Sequence, residues 1–163
     1  MQKKIGVFMA KEKDVSDSSF DNSKYSIENF RRLDKEIDSL YTNSIKKSGI
    51  SHSEFWILLM VYEGVKNQKE ICEQLFWSKQ TVNSACAKLQ NRGFITLEFS
   101  EKNKKEKEIV LTKEGKTFSN RYVKSLYDAE DFIWERFSQD EKTAIIKLLS
   151  KYSTLLREFT KDI

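Results

Sequence analysis

Asn67-Gln68-Lys69-Glu70-Ile71, then Ser78-Lys79-Gln80-Thr81-Val82-Asn83-Ser84, then Asn91-Arg92-Gly93-Phe94-Ile95, and last Leu111-Thr112-Lys113-Glu114-Gly115 are the four runs whose order decides the fold. Asn67 and Ser78 carry side-chain oxygens of the kind that accept the unpaired amides of a helix's first turn, so each predicts a helix start. After Asn67 a short helix uses Ile71 and Leu75, and Phe76-Trp77 fills the turn. After Ser78, Val82, Ala85, Cys86 and Leu89 give one apolar face, with Lys79, Gln80, Asn83, Ser84 and Lys88 on the opposite side. Gly93 ends that helix. Ile95, Leu97 and Phe99 then alternate with Thr96 and Glu98, as in a strand with one buried face. A charged turn from Glu101 to Lys107 leads to a second strand near Glu108 to Leu111. Two short helices followed by two strands around a lysine-rich turn are the layout of a winged helix-turn-helix.

Working outward, residues 1–22 read as a flexible N-terminal arm, because Asp14-Val15-Ser16-Asp17-Ser18-Ser19 has no sustained apolar period. A first long helix is expected from about Tyr25 to Lys47, with Ile27, Phe30, Leu33, Ile37, Leu40, Tyr41 and Ile45 at helical spacing. Ser51 with Glu54 makes a capping box for a second helix carrying Phe55, Leu58, Leu59 and Tyr62. Thr112 opens a long fifth helix with Phe118, Tyr122, Leu126, Ile133 and Phe137 on one stripe. Ser138 with Glu141 opens a sixth, striped by Ile145, Leu148, Leu149, Tyr152, Leu155, Leu156 and Phe159. The expected fold is mainly α with a small two- to three-stranded β-wing. Its one domain spans 23–163, with a DNA-binding winged helix at about 51–112 and dimerisation helices at about 24–48 and 113–161.

Composition agrees. Eleven Phe, six Tyr and three Trp in 163 residues suffice for one core, and zero Pro with five Gly favours long helices. The net charge of +4 is modest, yet its distribution is not even. From Ser78 to Lys107 six Lys and one Arg face three Glu, a local excess equal to that of the whole chain. A basic face on a near-neutral body suits a DNA reader better than a general polycation. Cys72 and Cys86 lack CxxC spacing and read as reduced thiols. The apolar run Ile5 to Ala10 is too short for a signal core or a membrane span, so a cytoplasmic protein with no membrane partner is expected. An Asn- and Lys-rich chain without Pro suits an AT-rich bacterial genome.

The element order and the local sequences resemble the MarR family of bacterial transcription regulators, over roughly Tyr25 to Phe159. Ser78, Thr81, Val82 and Leu89 carry the resemblance, with Arg92-Gly93-Phe94-Ile95 and Leu111-Thr112-Gly115. The resemblance implies a homodimer whose terminal helices associate and whose two lobes bind a pseudo-palindromic operator in double-stranded DNA. It also implies repression, relieved by a small molecule, an oxidant or a metal. One departure is plain. The family's wing often carries an Asp and Arg core before the second strand, where this chain has Asn103-Lys104-Lys105. Lysine neutralises phosphate but lacks the planar fork of arginine, so the wing is expected to supply backbone affinity more than groove reading.

The candidate DNA contacts are therefore Asn67, Gln68, Ser78, Lys79, Gln80, Thr81, Asn83, Ser84 and Lys88, with the wing residues Lys102, Lys104, Lys105 and Lys107. Gln80 and Asn83 have the paired donor and acceptor that match an adenine edge. The lysines, the hydroxyls and the start of the third helix suit phosphates. A solvated helix face is the plain alternative for the first group, and a soluble hairpin tip for the second. Phe30, Tyr41, Phe55, Trp56, Phe118 and Tyr122 are candidates for an effector cleft taking a small aromatic or amphipathic molecule, against the plainer reading of core residues. No cofactor is expected, and His52, the single histidine, cannot build a His-rich metal site. There is no phosphate-cradling Gly loop and no nucleophile beside a base, so an enzyme is not expected. Two alternatives remain: a winged-helix module that binds protein instead of DNA, and a regulator responding to oxidants through cysteine. Cys86, on the apolar face with Val82 and Leu89, reads as an inert buried thiol.

Overall fold

The computed structural model describes residues 22–100 and 107–161. The expected arm falls outside these bounds, apart from Asn22, as do Lys102, Lys104 and Lys105. After a short 3-10 turn, Asn22–Tyr25, six helices and two strands follow. They are α1 (Ile27–Lys46), α2 (His52–Tyr62), α3 (Gln68–Leu75), α4 (Lys79–Asn91), β1 (Ile95–Phe99), β2 (Lys107–Leu111), α5 (Lys113–Trp134) and α6 (Gln139–Phe159). The chain divides into two compact units, residues 1–42 and 43–163.

In the first unit, α1 starts two residues later than its apolar spacing suggests. Ser26 is the reason: its hydroxyl accepts the Asn29 amide at 3.2 Å, as a cap does. Ile27, Phe30, Leu33, Ile37 and Leu40 stand exposed along this helix.

The second unit is built around α2. Ser51 and Glu54 form the expected capping box, and Glu54, Phe55 and Ile57 to Val61 are all buried. A helix apolar on nearly every side must be covered by its neighbours. Helices α4 and α5 and strand β2 pack against it. Val82, Ala85, Cys86 and Leu89 of α4 are buried, as the periodicity predicts. The strands pair antiparallel with Ile95 opposite Leu111, Leu97 opposite Ile109 and Phe99 opposite Lys107. The described sheet is two-stranded; Lys66 adds one backbone bond, its carbonyl accepting the Ile109 amide at 2.6 Å.

Helix α3 ends on Phe76 in the left-handed region, with φ 54°. That conformation costs a non-glycine residue about 1–2 kcal/mol. It turns the chain sharply enough for Trp77 to pack on the core while Phe76 stays 86% exposed. On α5 the stripe is buried only in part. Phe118, Tyr122 and Leu126 pack on the core, whereas Phe132, Ile133 and Trp134 are exposed. The helix stops at Trp134, and Phe137 lies in the turn that follows. Helix α6 buries none of its residues. No helix among the described residues is long and apolar enough to cross a membrane.

The Leu-Thr-x-x-Gly run has a mechanical explanation. The Thr112 hydroxyl accepts the Gly115 amide at 2.9 Å and donates to the Gly93 carbonyl at 2.6 Å. This draws the first turn of α5 onto the backbone that leads into β1. A Cβ on Gly115 would sit 1.9 Å from the Phe94 carbonyl oxygen and 2.8 Å from its carbon. Alanine normally stabilises a helix by about 1 kcal/mol over glycine. Here Gly115→Ala is expected to destabilise by about 1–3 kcal/mol, because backbone must move to admit the methyl. Thermal unfolding checks the sign: a lower Tm supports the packing account, and an unchanged or raised Tm contradicts it.

Candidate nucleic-acid interface

With its apolar face turned inward, α4 presents Lys79, Gln80, Thr81, Asn83, Ser84 and Lys88 as exposed residues. The side chains of Lys79, Gln80, Asn83, Ser84 and Lys88 make no hydrogen bond or ion pair with other described residues, so their donors and acceptors are open to a ligand. Ser78 caps the helix: its hydroxyl accepts the Thr81 amide at 3.1 Å and lies 2.9 Å from the Thr81 hydroxyl. Both hydroxyls keep spare capacity, since each has two lone pairs and one proton.

One further sequence candidate is engaged within the protein. Asn67 caps α3, accepting the Glu70 amide at 2.7 Å and donating to the Glu70 carboxylate at 3.2 Å. Gln68 is half-buried. Gln68 also lines a small cavity in the elbow of α3 and α4, with Lys69, Cys72, Lys79 and Asn83. Burial pushes the Cys86 thiol up, against the Gln68 hydrogen bond that lowers it, so Cys86 is protonated and unreactive at neutral pH.

Of the wing lysines, the described one is Lys107. It is exposed, its ammonium 5.6 Å from the centre of the Phe99 ring. Phe99 is itself 67% exposed, so the start of the wing pairs an aromatic face with a cation.

A residue that the spacing does not reveal fixes the end of α4. Arg92 caps the C-terminus of α4, and its Nε lies 2.9 Å from Glu54 Oε1. The other Glu54 oxygen accepts the Ser51 amide at 3.0 Å and the Ser51 hydroxyl at 2.5 Å. Burial pushes the Glu54 carboxyl up, but the Ser51 hydroxyl and amide, with Arg92, outweigh it and hold the group below its ordinary value. The capping box is legible in sequence; its arginine partner is not, because it comes from a distant turn.

Of the aromatic candidates, Phe55 and Tyr122 line a cavity of about 320 Å³ with Lys47, Arg121, Ser125 and Leu126. Phe118 and Tyr122 line a second, shallower one with Phe94, Lys113 and Arg121. Trp56 touches neither; its indole N–H donates to His52 Nε2 at 2.8 Å. Phe30 and Tyr41 lie on α1 in the first unit. Lys47 and Arg121, the cations of the first cavity, carry no sequence signal of their own. Among the described residues no three His, Cys, Asp or Glu side chains gather where they would hold a metal.

Comparison with known proteins gives the same picture. Residues 48–106 match the family model described as MarR family. The HTH-type transcriptional regulator SarZ of Staphylococcus epidermidis is 24% identical over 132 residues, which cover 79% of this chain and 85% of SarZ. The HTH-type transcriptional repressor YetL of Bacillus subtilis is 21% identical over 120 residues, 72% of each chain. MepR of S. aureus, solved as a DNA complex, shares the fold with a TM-score of 0.68 at 18% identity, across 82% of this chain and 98% of that one. These relatives are transcription regulators, not enzymes.

The Glu54–Arg92 pair gives a test of how the helix is held. Arg92→Ala leaves a buried carboxylate with only its Ser51 partners, at an expected cost of about 1–3 kcal/mol at pH 7. Glu54 has a depressed pKa when folded, so its stabilising contribution is present above the ordinary value of 4.5 and lost as pH falls through the folded value. The gap between wild type and Arg92→Ala in urea unfolding should therefore close as pH falls below 4.5. A gap that stays constant with pH contradicts the ion-pair account.

Proposed function

We propose that this chain, which belongs to the MarR family of transcription regulators, acts as a homodimeric repressor that binds a pseudo-palindromic operator in double-stranded DNA. The observation that carries the reading is the open polar face of α4, which is set by the burial of Val82, Ala85, Cys86 and Leu89 on the other side. Gln80 and Asn83 are the candidates for base edges, and Lys79, Ser84 and Lys88 for base or phosphate. Ser78 and Thr81 sit where a helix N-terminus meets a phosphate. Lys107, with Lys102, Lys104 and Lys105 from the sequence between the two strands, is assigned to the DNA backbone. The DNA complex of MepR and the repressor YetL are relatives of the kind this reading requires.

The dimer is inferred from apolar surface that a monomer leaves wet. Ile146, Leu148, Leu149, Tyr152, Leu155, Leu156 and Phe159 of α6 are all exposed, as is the stripe of α1. Patches of this extent mark association surfaces. The domain assignment follows: dimerisation helices at about 24–48 and 113–161, flanking the winged helix at about 51–112. An effector is assigned to the cavity of Phe55 and Tyr122, whose apolar wall and two cations, Lys47 and Arg121, suit a small amphipathic anion.

Sequences selected from a random duplex pool test the DNA reading. The expected motif is palindromic and bound with a steep negative dependence on salt. Asn83→Ala should lose about 1–3 kcal/mol and relax preference at one base pair per half-site, whereas Lys88→Gln should weaken all duplexes alike and flatten the salt slope by about 1. Weak binding that shows no motif would instead favour a protein-binding module. For the dimer, Leu149→Glu with Leu156→Glu is expected to halve the mass seen in light scattering and to abolish operator binding while the lobe stays folded. An unchanged mass removes α6 from the interface.

A further inference from the structure

One carboxylate, that of Glu108, reaches from the wing to both of its flanks. Glu108 is the second residue of β2, and its Oε1 accepts a hydrogen bond of 2.6 Å from the Ser100 hydroxyl. Its Oε2 lies 3.4 Å from the Lys66 ammonium. Ser100 directly follows β1 and is only 6% exposed, so the first contact joins the two strands at the outer end of their described pairing. Lys66 directly precedes Asn67, the cap of α3, and its carbonyl accepts the Ile109 amide at 2.6 Å. The second contact therefore joins the wing to the first helix of the helix-turn-helix. Glu108 also stands directly opposite Glu98 in the sheet, an arrangement of like charges that disfavours strand pairing. Contacts from Ser100 and Lys66 offset that cost, and the result is a hairpin anchored on both of its sides.

A carboxylate is a poor direct contact for a phosphate backbone, so a glutamate at the turn end of a DNA-facing hairpin acts through orientation. We infer that Glu108 is the positioning residue of the wing. Through Ser100 and Lys66 it fixes the β1–β2 hairpin against the α3–α4 pair, so that wing and recognition helix meet a duplex together. This inference rests on the DNA reading given above. The arrangement also supplies a brace in a chain whose wing lacks the Asp and Arg core at Asn103-Lys104-Lys105.

The test separates orientation from charge because the two predict opposite signs. Removing a negative charge near DNA should, by electrostatics alone, tighten binding. Loss of the brace should weaken it. With a duplex selected by the wild-type protein, Glu108→Gln and the charge-neutral Ser100→Ala are both expected to bind about tenfold more weakly. Their salt slopes should flatten by about 1, the share of one phosphate contact. Discrimination between the selected duplex and one with substituted bases, which α4 sets, should be retained. Lys107→Gln completes the cycle: it should flatten the slope in the wild-type background and change little on top of Glu108→Gln, since an undocked wing has no contact left to lose. Equal or tighter binding by Glu108→Gln with an unchanged slope overturns the inference, as does full additivity with Lys107→Gln. If the wild-type protein binds no selected duplex, the DNA reading itself fails and this inference with it. If the wild type binds and both variants match it, the brace alone is wrong.

Discussion

Because α2 is apolar on nearly every side, with Ile57 and Leu58 fully buried and Phe55 and Leu59 close to it, its neighbours are obliged to turn their own apolar faces toward it. Each such side chain stabilises by about 1.5–3 kcal/mol when removed from water. Rotating α4 about its axis by one residue would expose Val82 or Leu89 and draw Asn83 or Gln80 into the core, where an unpaired amide costs about 1–3 kcal/mol by mutational measures. Packing against α2 therefore decides which residues of α4 face outward. The reading face is a consequence of the core.

The ends of α4 are fixed as firmly as its faces. Ser78 holds the start through the Thr81 amide, and the Arg92–Glu54 pair holds the finish against the first turn of α2. One residue further on, Gly93 takes a left-handed φ of 74°, which lets the chain reverse into β1. Its carbonyl is then held by Thr112, and α5 packs so closely on Phe94 that only glycine fits at position 115. Helix α4, the hairpin and the long helix that follows are thus locked by a few short contacts, none of which uses the side chains of Gln80, Asn83, Ser84 or Lys88. That separation leaves the face free to vary in sequence without loss of the fold.

What was legible in the sequence is what is local. Ser51, Asn67, Ser78, Thr112 and Ser138 all cap the helices their spacing predicts, because a cap bonds an amide three residues away. The apolar period of α4 gave its buried face for the same reason; that of β1 holds at Ile95 and in part at Leu97, while Phe99 stands exposed because the strand ends beyond the core. The distant contacts were not legible: Arg92 on Glu54, Lys66 on Glu108, and the meeting of Lys47 with Arg121 around one cavity all need the chain to return on itself. Asn67 and Gln68 show the reverse difficulty. Their residue types suit phosphate; in the fold Asn67 is also the cap of α3, and Gln68 lines the cavity in the elbow of α3 and α4. The stripe of α6 was visible as apolar, but only the structure displays how completely one chain leaves it uncovered.

The central claim is that the outward face of α4 meets base edges, and photocrosslinking from position 83 tests it most directly. A photoreactive residue replacing Asn83 should crosslink to bases of a selected duplex, at one equivalent place in each half-site. The same probe at Ser125, on α5 and lining the cavity of Phe55 and Tyr122, should give none. Crosslinks from Ser125 but not from position 83 would contradict the account, because DNA would then be meeting a different surface of the protein.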